Sequence, residues 1–331
     1  SRVVAICETD TPLCAALGSG RAALAVICGV DGPSYRPLGA MMVVDENGRA
    51  HGNLSSGCIE RDVILHARQA LADGRVRQLR YGAGSPFRDL ALPCGGGLDI
   101  LVLPDPDRDT LAQAAAMLDR RQGAMLLLGP LMLHIQPRLR FAVLGAGPEA
   151  HCFAVLAAAA GYPVETFSPD PATLRGLENG HALDRPRWPE RLRPDPRTAV
   201  TLFFHDHDWE PPLLQAALSS PALYVGAQGS LRAHQARCEA LSALGLSGDR
   251  IARLASPFGL VPSARDPRTL AASVLAQVLE ALAARPPLQH VIITGRGAPE
   301  ALVAAADTVT DMTMVKHAFK AGVKAMPGLE W

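Results

Sequence analysis

Two cysteines stand in loops where a thiol could do chemistry. Cys58 follows Ser55-Ser56-Gly57 at the start of a helical apolar pattern, and Cys94 precedes Gly95, Gly96 and Gly97. A thiol in the first turn of a helix meets the positive end of the helix dipole, which favours the thiolate as nucleophile or soft ligand. Consecutive glycine amides such as those of Gly95 and Gly96 form a concavity suited to an anion. Arg36, in the constrained run Tyr35-Arg36-Pro37, offers a planar guanidinium with the geometry of a phosphate clamp. Each feature alone also has a plain structural reading, as a small buried hydrophobe or a tight turn. Together they describe a site for a phosphorylated, sulfur-bearing ligand.

A second group lies further along. Gly145-Ala146-Gly147-Pro148-Glu149-Ala150 fits G-x-G-x-x-A between an apolar strand and an alanine-rich helix. Glycines there permit a sharp turn and bring a pyrophosphate to the helix amides, although a turn needing small residues for packing has the same pattern. At the end of the next strand, where a ribose-binding carboxylate is usual, stands Ser168, with Asp170 beyond. NADP, another nucleotide and a lapsed site all stay open. His205-Asp206-His207-Asp208 and Gly226-Ala227-Gln228-Gly229-Ser230 follow later strands. Strand carboxyl ends in open α/β sheets face the ligand crevice, so both segments are candidates there. Consecutive residues rarely converge on one ion, so no metal is assigned.

The elements that must position these groups follow from periodicity and turn chemistry. Arg21–Val30 reads as a strand, and Ala40–Asp45 and Arg49–Leu54 as a hairpin about Asn47-Gly48. Ile59, Val63, Ala67 and Leu71 repeat at helical spacing, with Ser55 or Ser56 as cap and Gly74 as terminator. Leu98–Leu103 is a strand, Thr110–Leu118 a connecting helix, and Met125–Leu128 with Leu131–Ile135 a hairpin. From Phe141 strands and helices alternate: strands at Val164–Phe167, Ala199–Phe204 and Leu223–Val225, a helix at Thr269–Ala284, and an irregular stretch Ser168–Arg197. The expected fold is α/β, an N-terminal mixed α/β domain (1–108), a connector (109–140), and a Rossmann-like doubly wound parallel sheet (141–285), followed by a tail (286–331).

Composition narrows the function. In 331 residues, 32 basic and 32 acidic side chains cancel, giving no electrostatic reason for nucleic acid or an anionic membrane as partner. No apolar run is long enough to span a bilayer, and the opening SRVVAICETD lacks an export pattern, so the expected location is cytoplasmic. The seven cysteines form no CxxC pair, which argues against zinc or a disulfide framework.

The segments SYRPLGAMMVVDENGRAHGNLSSGCIE and LPCGGGLDILVLP resemble the N-terminal domain of the xanthine dehydrogenase accessory family (XdhC/CoxI). VLGAGPEA, HDHDWEPPLL, YVGAQGS and PFGLVPSARDPRTLAASVLAQVL resemble its Rossmann domain, in the same order. The resemblance covers residues 13–283. It implies a homodimeric maturation factor rather than a self-sufficient enzyme. Such a factor binds molybdenum cofactor, assists its sulfuration with a cysteine desulfurase, and delivers it to a molybdenum hydroxylase apo-enzyme. Cys58 and Cys94 would be the cofactor-contacting thiols, with Arg36, Gly95 and Gly96 about its phosphate. Gly145, Gly147, His205, Asp206, Gly226, Gly229 and Ser230 would line an NAD(P)-type nucleotide crevice. The chain departs from the family in Ser56, Pro148 and Ser168, where glycine, histidine and aspartate are usual. An NAD(P)-dependent oxidoreductase using His205 or His207 is the rival reading. The tail HVIITGRGAPEALVAAADTVTDMTMVKHAFKAGVKAMPGLEW resembles the C-terminal end of a corrinoid adenosyltransferase, a third reading, but no G-x-x-x-x-G-K-[ST] loop occurs to hold ATP.

Overall fold

In the computed structural model, which describes residues 2–57, 59–85 and 95–284, the chain begins β1 (Arg2–Cys7), α1 (Leu13–Gly18), β2 (Ala22–Asp31), β3 (Met41–Asp45) and β4 (Ala50–Gly52). It continues α2 (Glu60–Asp73), β5 (Arg77–Gly82), β6 (Gly97–Pro104), α3 (Arg108–Asp119), β7 (Ala124–Leu128) and β8 (Leu131–Gln136). The second half runs β9 (Arg140–Gly145), α4 (Pro148–Ala159), β10 (Val164–Ser168), β11 (Gly180–Ala182), β12 (Thr198–Phe203) and α5 (Glu210–Ser219). Then come β13 (Tyr224–Ala227), α6 (Leu231–Ala243), α7 (Gly248–Ile251), β14 (Leu254–Ala255) and α8 (Pro267–Ala284).

The front half is built on β2. It is the middle strand of an antiparallel sheet ordered β4-β3-β2-β6-β5. Leu24 and Val26 enter one core with Leu13, Leu111 and Leu133, whereas Ala25 and Ile27 enter the opposite core with Met42, Val63 and Ile100. Burial on both faces explains why this strand reads as a continuous apolar run instead of alternating. Helix α2 closes the second core with Val63, Ala67, Ala70 and Leu71, and ends where Gly74 turns left-handed and donates to the Ala70 carbonyl at 2.8 Å. A smaller sheet, β1-β8-β7, closes the first core. Residues 109–140, expected to be a connector, thus supply α3, β7 and β8, and β8 pairs in parallel with β1.

The second half is a six-stranded parallel sheet ordered β11-β10-β9-β12-β13-β14. Phe141 and Val143 of β9 face the core of α4 and α8, and Ala142 and Leu144 face that of α5 and α6. Helices on both faces and a reversal of strand order between β9 and β12 define a doubly wound Rossmann sheet. β11 lies within the stretch expected to be irregular; three residues of parallel pairing to β10 suffice to make it an edge strand. No helix among the described residues is long and apolar enough to cross a membrane.

The halves meet at a polar joint. Arg121 donates through Nε to Asp195 at 2.6 Å and through Nη1 to the Arg138 carbonyl at 3.0 Å. Arg197 Nε reaches the Pro137 carbonyl at 2.8 Å. Burial opposes ionisation of Asp195, but Arg121 outweighs it and holds the carboxyl below its ordinary range.

The Arg237–Glu210 ion pair is fully buried. Arg237 and Glu210 side chains are 3% and 0% exposed, joined by two hydrogen bonds of 2.7 Å. Arg237 also donates to Ser256 Oγ at 2.8 Å and to the Gln228 carbonyl. Replacing Arg237 with Met takes the guanidinium away from a fully buried carboxylate and is expected to cost about 3–5 kcal/mol in urea denaturation. The double variant Arg237→Met/Glu210→Leu should recover most of that loss. A single-variant loss under about 1 kcal/mol, the worth of a surface pair, would show that the ions are not held as described.

Candidate functional site

Strand register brings the front loops together. Asp31, Gly97 and Gly82 are level across β2, β6 and β5, and β3 starts and β4 ends toward that same end. The segments 32–40, 53–59 and 83–96 therefore leave one end of one sheet. In sequence these carry Arg36, Cys58 and Cys94; both cysteines lie outside the described residues. Gly96 packs so closely on the first segment that a Cβ would fall 2.2 Å from the Pro33 carbonyl oxygen. Gly95 has φ +73° and open space around its missing side chain.

The loops are tied by carboxylates. Arg36, expected to face a ligand phosphate, donates through Nη2 to Asp10, while its buried Nε has no hydrogen-bond partner in the structure. Arg80 bridges Asp31 and Asp99, the latter at 2.9 Å, and donates to the Ala83 carbonyl at 2.9 Å. Cys28 in β2 donates to the Asp99 carbonyl at 3.4 Å, and burial, then Asp99, pushes its thiol above the ordinary value. It is a structural thiol.

Glu60 organises the segment around position 58. Its Oε1 accepts from the amides of Leu54 (3.0 Å) and Ser55 (2.8 Å), and its Oε2 from the Ser55 hydroxyl (2.8 Å) and the Ile59 amide (3.2 Å). The helix consequently begins at Glu60 and not at the serines; Ser55 Oγ accepts from the Ile59 amide at 3.1 Å, in the turn ahead of the helix. Position 58 precedes α2, so the expectation of a cysteine in the first helical turn is corrected. The buried Nε–H of Arg36 is a donor without an acceptor, which fits an oxygen-rich anionic ligand.

The Rossmann crevice is more occupied than its motif implies. A Cβ on Gly145 would lie 2.4 Å from the Phe203 carbonyl oxygen, so that glycine is required by the close approach of β12. Gly147, at φ +100°, donates to Thr173 Oγ1 at 2.8 Å. Ser168 is buried, and its hydroxyl accepts from the Asp170 amide at 3.1 Å. His205, with a side chain 72% exposed, has Nε2 3.5 Å from Glu149 Oε2 and 3.4 Å from the Gln228 amide nitrogen. Asp206 accepts from the Asp208 amide at 3.1 Å, stabilising the turn that leads into α5.

Two expected crevice residues have other work. Gly226 is inside β13, where a Cβ would meet the rings of Tyr224 and Phe258 at 2.6 and 2.8 Å, so packing sets it. Ser230 caps α6 by accepting from the Ala233 amide at 3.2 Å. Gly229, at φ +139°, has Arg237 against the place of a Cβ, 3.1 Å away. Among the described residues no group of three or more His, Cys, Asp and Glu is placed to hold a metal. The sequence reading did not single out His151, Thr173 or Glu60; the polar residues following Ser168 were the available signal for Thr173.

An antiparallel sheet with one loop-bearing end, followed by a six-stranded parallel Rossmann sheet, defines a two-part α/β protein with a nucleotide-fold second half. Residues 141–278 match the XdhC Rossmann domain, and residues 16–82 match the XdhC and CoxI family. The chain is 35% identical over 284 residues to the Escherichia coli (strain K12) molybdenum cofactor insertion chaperone PaoD, covering 80% of this chain and 84% of that one. It belongs to the XdhC/CoxI family. A probable xanthine dehydrogenase subunit from Bacillus subtilis (strain 168) is 25% identical over 315 residues, covering 78% of this chain and 92% of that one. A crystal structure described as a xanthine dehydrogenase from Bacillus halodurans shares the fold at TM-score 0.67 and 21% identity, covering 85% of this chain and 97% of that one. Residues 270–331 match the ATP:corrinoid adenosyltransferase family. A Pseudomonas aeruginosa corrinoid adenosyltransferase is 58% identical over 57 residues, 17% of this chain and 28% of that enzyme. That match is a fragment of an enzyme, and it lies largely beyond the described residues.

Glu60 yields a pH prediction. Burial opposes its ionisation, but the donors at Leu54 and Ser55 prevail and hold the carboxyl below its ordinary value. Stability from it is therefore present above the unfolded pKa, about 4.3, and is lost as pH falls through the lower folded value. Glu60→Gln is expected to cost on the order of 1 kcal/mol near neutral pH and to flatten the acid-side fall. Parallel stability curves for parent and variant down to about pH 3 would refute the clamp.

Proposed function

We propose that this chain is a molybdenum cofactor-binding accessory factor that aids sulfuration and insertion of the cofactor into a xanthine dehydrogenase-type molybdenum hydroxylase. The observation that carries the reading is the identity with the cofactor insertion chaperone across four fifths of the chain. The convergence of three loop segments at one end of the front sheet supports it. In this reading Cys58 and Cys94 contact the cofactor, and Gly95 and Gly96 supply amides to its phosphate. Arg36 contributes its unpartnered Nε–H while Asp10 holds the rest of the guanidinium. Glu60 positions the turn that carries Cys58. A cysteine desulfurase supplies sulfur, the client is the apo-hydroxylase, and the factor works in the cytoplasm as a homodimer.

A second component of the proposal is a nucleotide of the NAD(P) class in the Rossmann crevice, favoured by the strand order and the Gly145–Gly147 turn. The crevice then reports nucleotide state to the cofactor-handling half.

Cofactor retention tests the main reading. Protein purified from cofactor-producing cells is expected to carry molybdenum and pterin, measured by metal analysis and by fluorescence of the oxidised pterin. Cys58→Ala should reduce retention about tenfold or more, at least the loss typical of an outer partner of a metal site. Unchanged stoichiometric binding by a Cys58→Ala/Cys94→Ala variant would overturn the thiol assignments.

A further inference from the structure

The turn that marks the second half as a nucleotide fold is bonded from within. In this turn type the amides at the helix start meet a pyrophosphate. Here Gly147 N–H donates to Thr173 Oγ1 at 2.8 Å, and the Thr173 hydroxyl donates onward to Asp170 Oδ2 at 2.7 Å. His151 Nδ1, on the first turns of α4, lies 2.9 Å from the Thr173 carbonyl oxygen. Asp170 also accepts from the amides of Ala172 at 3.0 Å and Thr173 at 3.2 Å, closing the segment into a compact turn. Thr173 is 3% exposed.

Other contacts reinforce the occupancy. Pro148, at the start of α4, has no amide hydrogen to offer. Glu149 places Oε2 3.4 Å from the position a Cβ on Gly147 would take, so a carboxylate lies close against this turn. An arriving pyrophosphate therefore finds its donor taken and meets a like charge. Arg175 follows Thr173 and, with Arg268, lines a cleft of about 630 Å³ beside Gly147.

We propose that Asp170–Arg175 is an autoinhibitory strap: the Thr173 hydroxyl stands in for a phosphate oxygen, and a pyrophosphate-bearing nucleotide binds only by displacing it. This rests on the nucleotide reading of the crevice given above. Displacement breaks the Gly147–Thr173 and His151–Thr173 contacts together, so the strap sets the nucleotide concentration at which the second half responds.

Titration of NADPH and ADP into the full chain by calorimetry tests the strap. Thr173→Val keeps the shape and removes the hydroxyl; Asp170→Ala removes the turn that holds it. Either variant, if folded by its thermal transition, is expected to bind about fivefold tighter than the parent. In the parent, NADPH should speed hydrogen exchange of residues 169–175. Equal affinity in parent and variants, or an unchanged exchange rate in a parent that binds, would overturn the strap and leave the nucleotide site standing. Failure of parent and both variants to bind either nucleotide would overturn the nucleotide reading, and the strap with it.

Discussion

The buried Glu210–Arg237 pair is the constraint on which the mouth of the Rossmann sheet depends. Two ions cannot be taken out of water unless nearly every hydrogen-bonding direction is used. Here the guanidinium spans Glu210 of α5, the Gln228 carbonyl after β13 and Ser256 beyond β14. One side chain thus fixes three segments that converge at the carboxyl edge of the sheet. The consequences reach outward. Gly229 lies against the guanidinium, where a Cβ would come within 3.1 Å, and Gln228 is held so that its amide meets the Phe204 carbonyl and His205. A hydrophobic replacement could be as stable; what the ions add is a single geometry for the loops.

The front half uses the same physics at lower burial. Its loops leave one sheet end and would be free to move, as loops on rigid scaffolds are. Carboxylates restrain them one at a time: Asp10 holds Arg36, Asp31 and Asp99 hold Arg80, and Glu60 gathers the amides on both sides of position 58. A site that must receive and release a ligand needs loops positioned without being cemented. Partly exposed ion pairs, individually weak, suit that requirement better than apolar packing.

Local sequence announced what local physics decides. The strand read at Arg21–Val30, the Asn47-Gly48 hairpin, the Gly74 cap and the alternation after Phe141 all have short-range signatures, and each agrees with the structure. What escaped was set by distant partners. β1 exists as a strand because β8 lies beside it, and β11 because β10 does. The start of α2 moved because Glu60 captures the amides that serine caps would otherwise serve. Arg36 reads as an open cation until Asp10, far away in sequence, is placed against it. Gly226 and Ser230 have the composition of ligand loops but are explained by two aromatic rings and one helix cap.

The Gly145–Gly147 turn carries that point to function. The motif correctly specifies a strand, a sharp turn and a helix, because close approach of Phe203 and a positive φ admit only glycine. It says nothing of whether the amides are free. In many dinucleotide folds an acidic residue at the end of the second strand meets the ribose. Here that place is Ser168, and the carboxylate has moved two residues on, to Asp170. From there it cannot serve as a strand-end ribose ligand while it closes a turn whose threonine takes the Gly147 amide. A two-residue displacement of one carboxylate thus takes an acceptor away from the strand end and sets it in a turn whose threonine hydroxyl bonds Gly147.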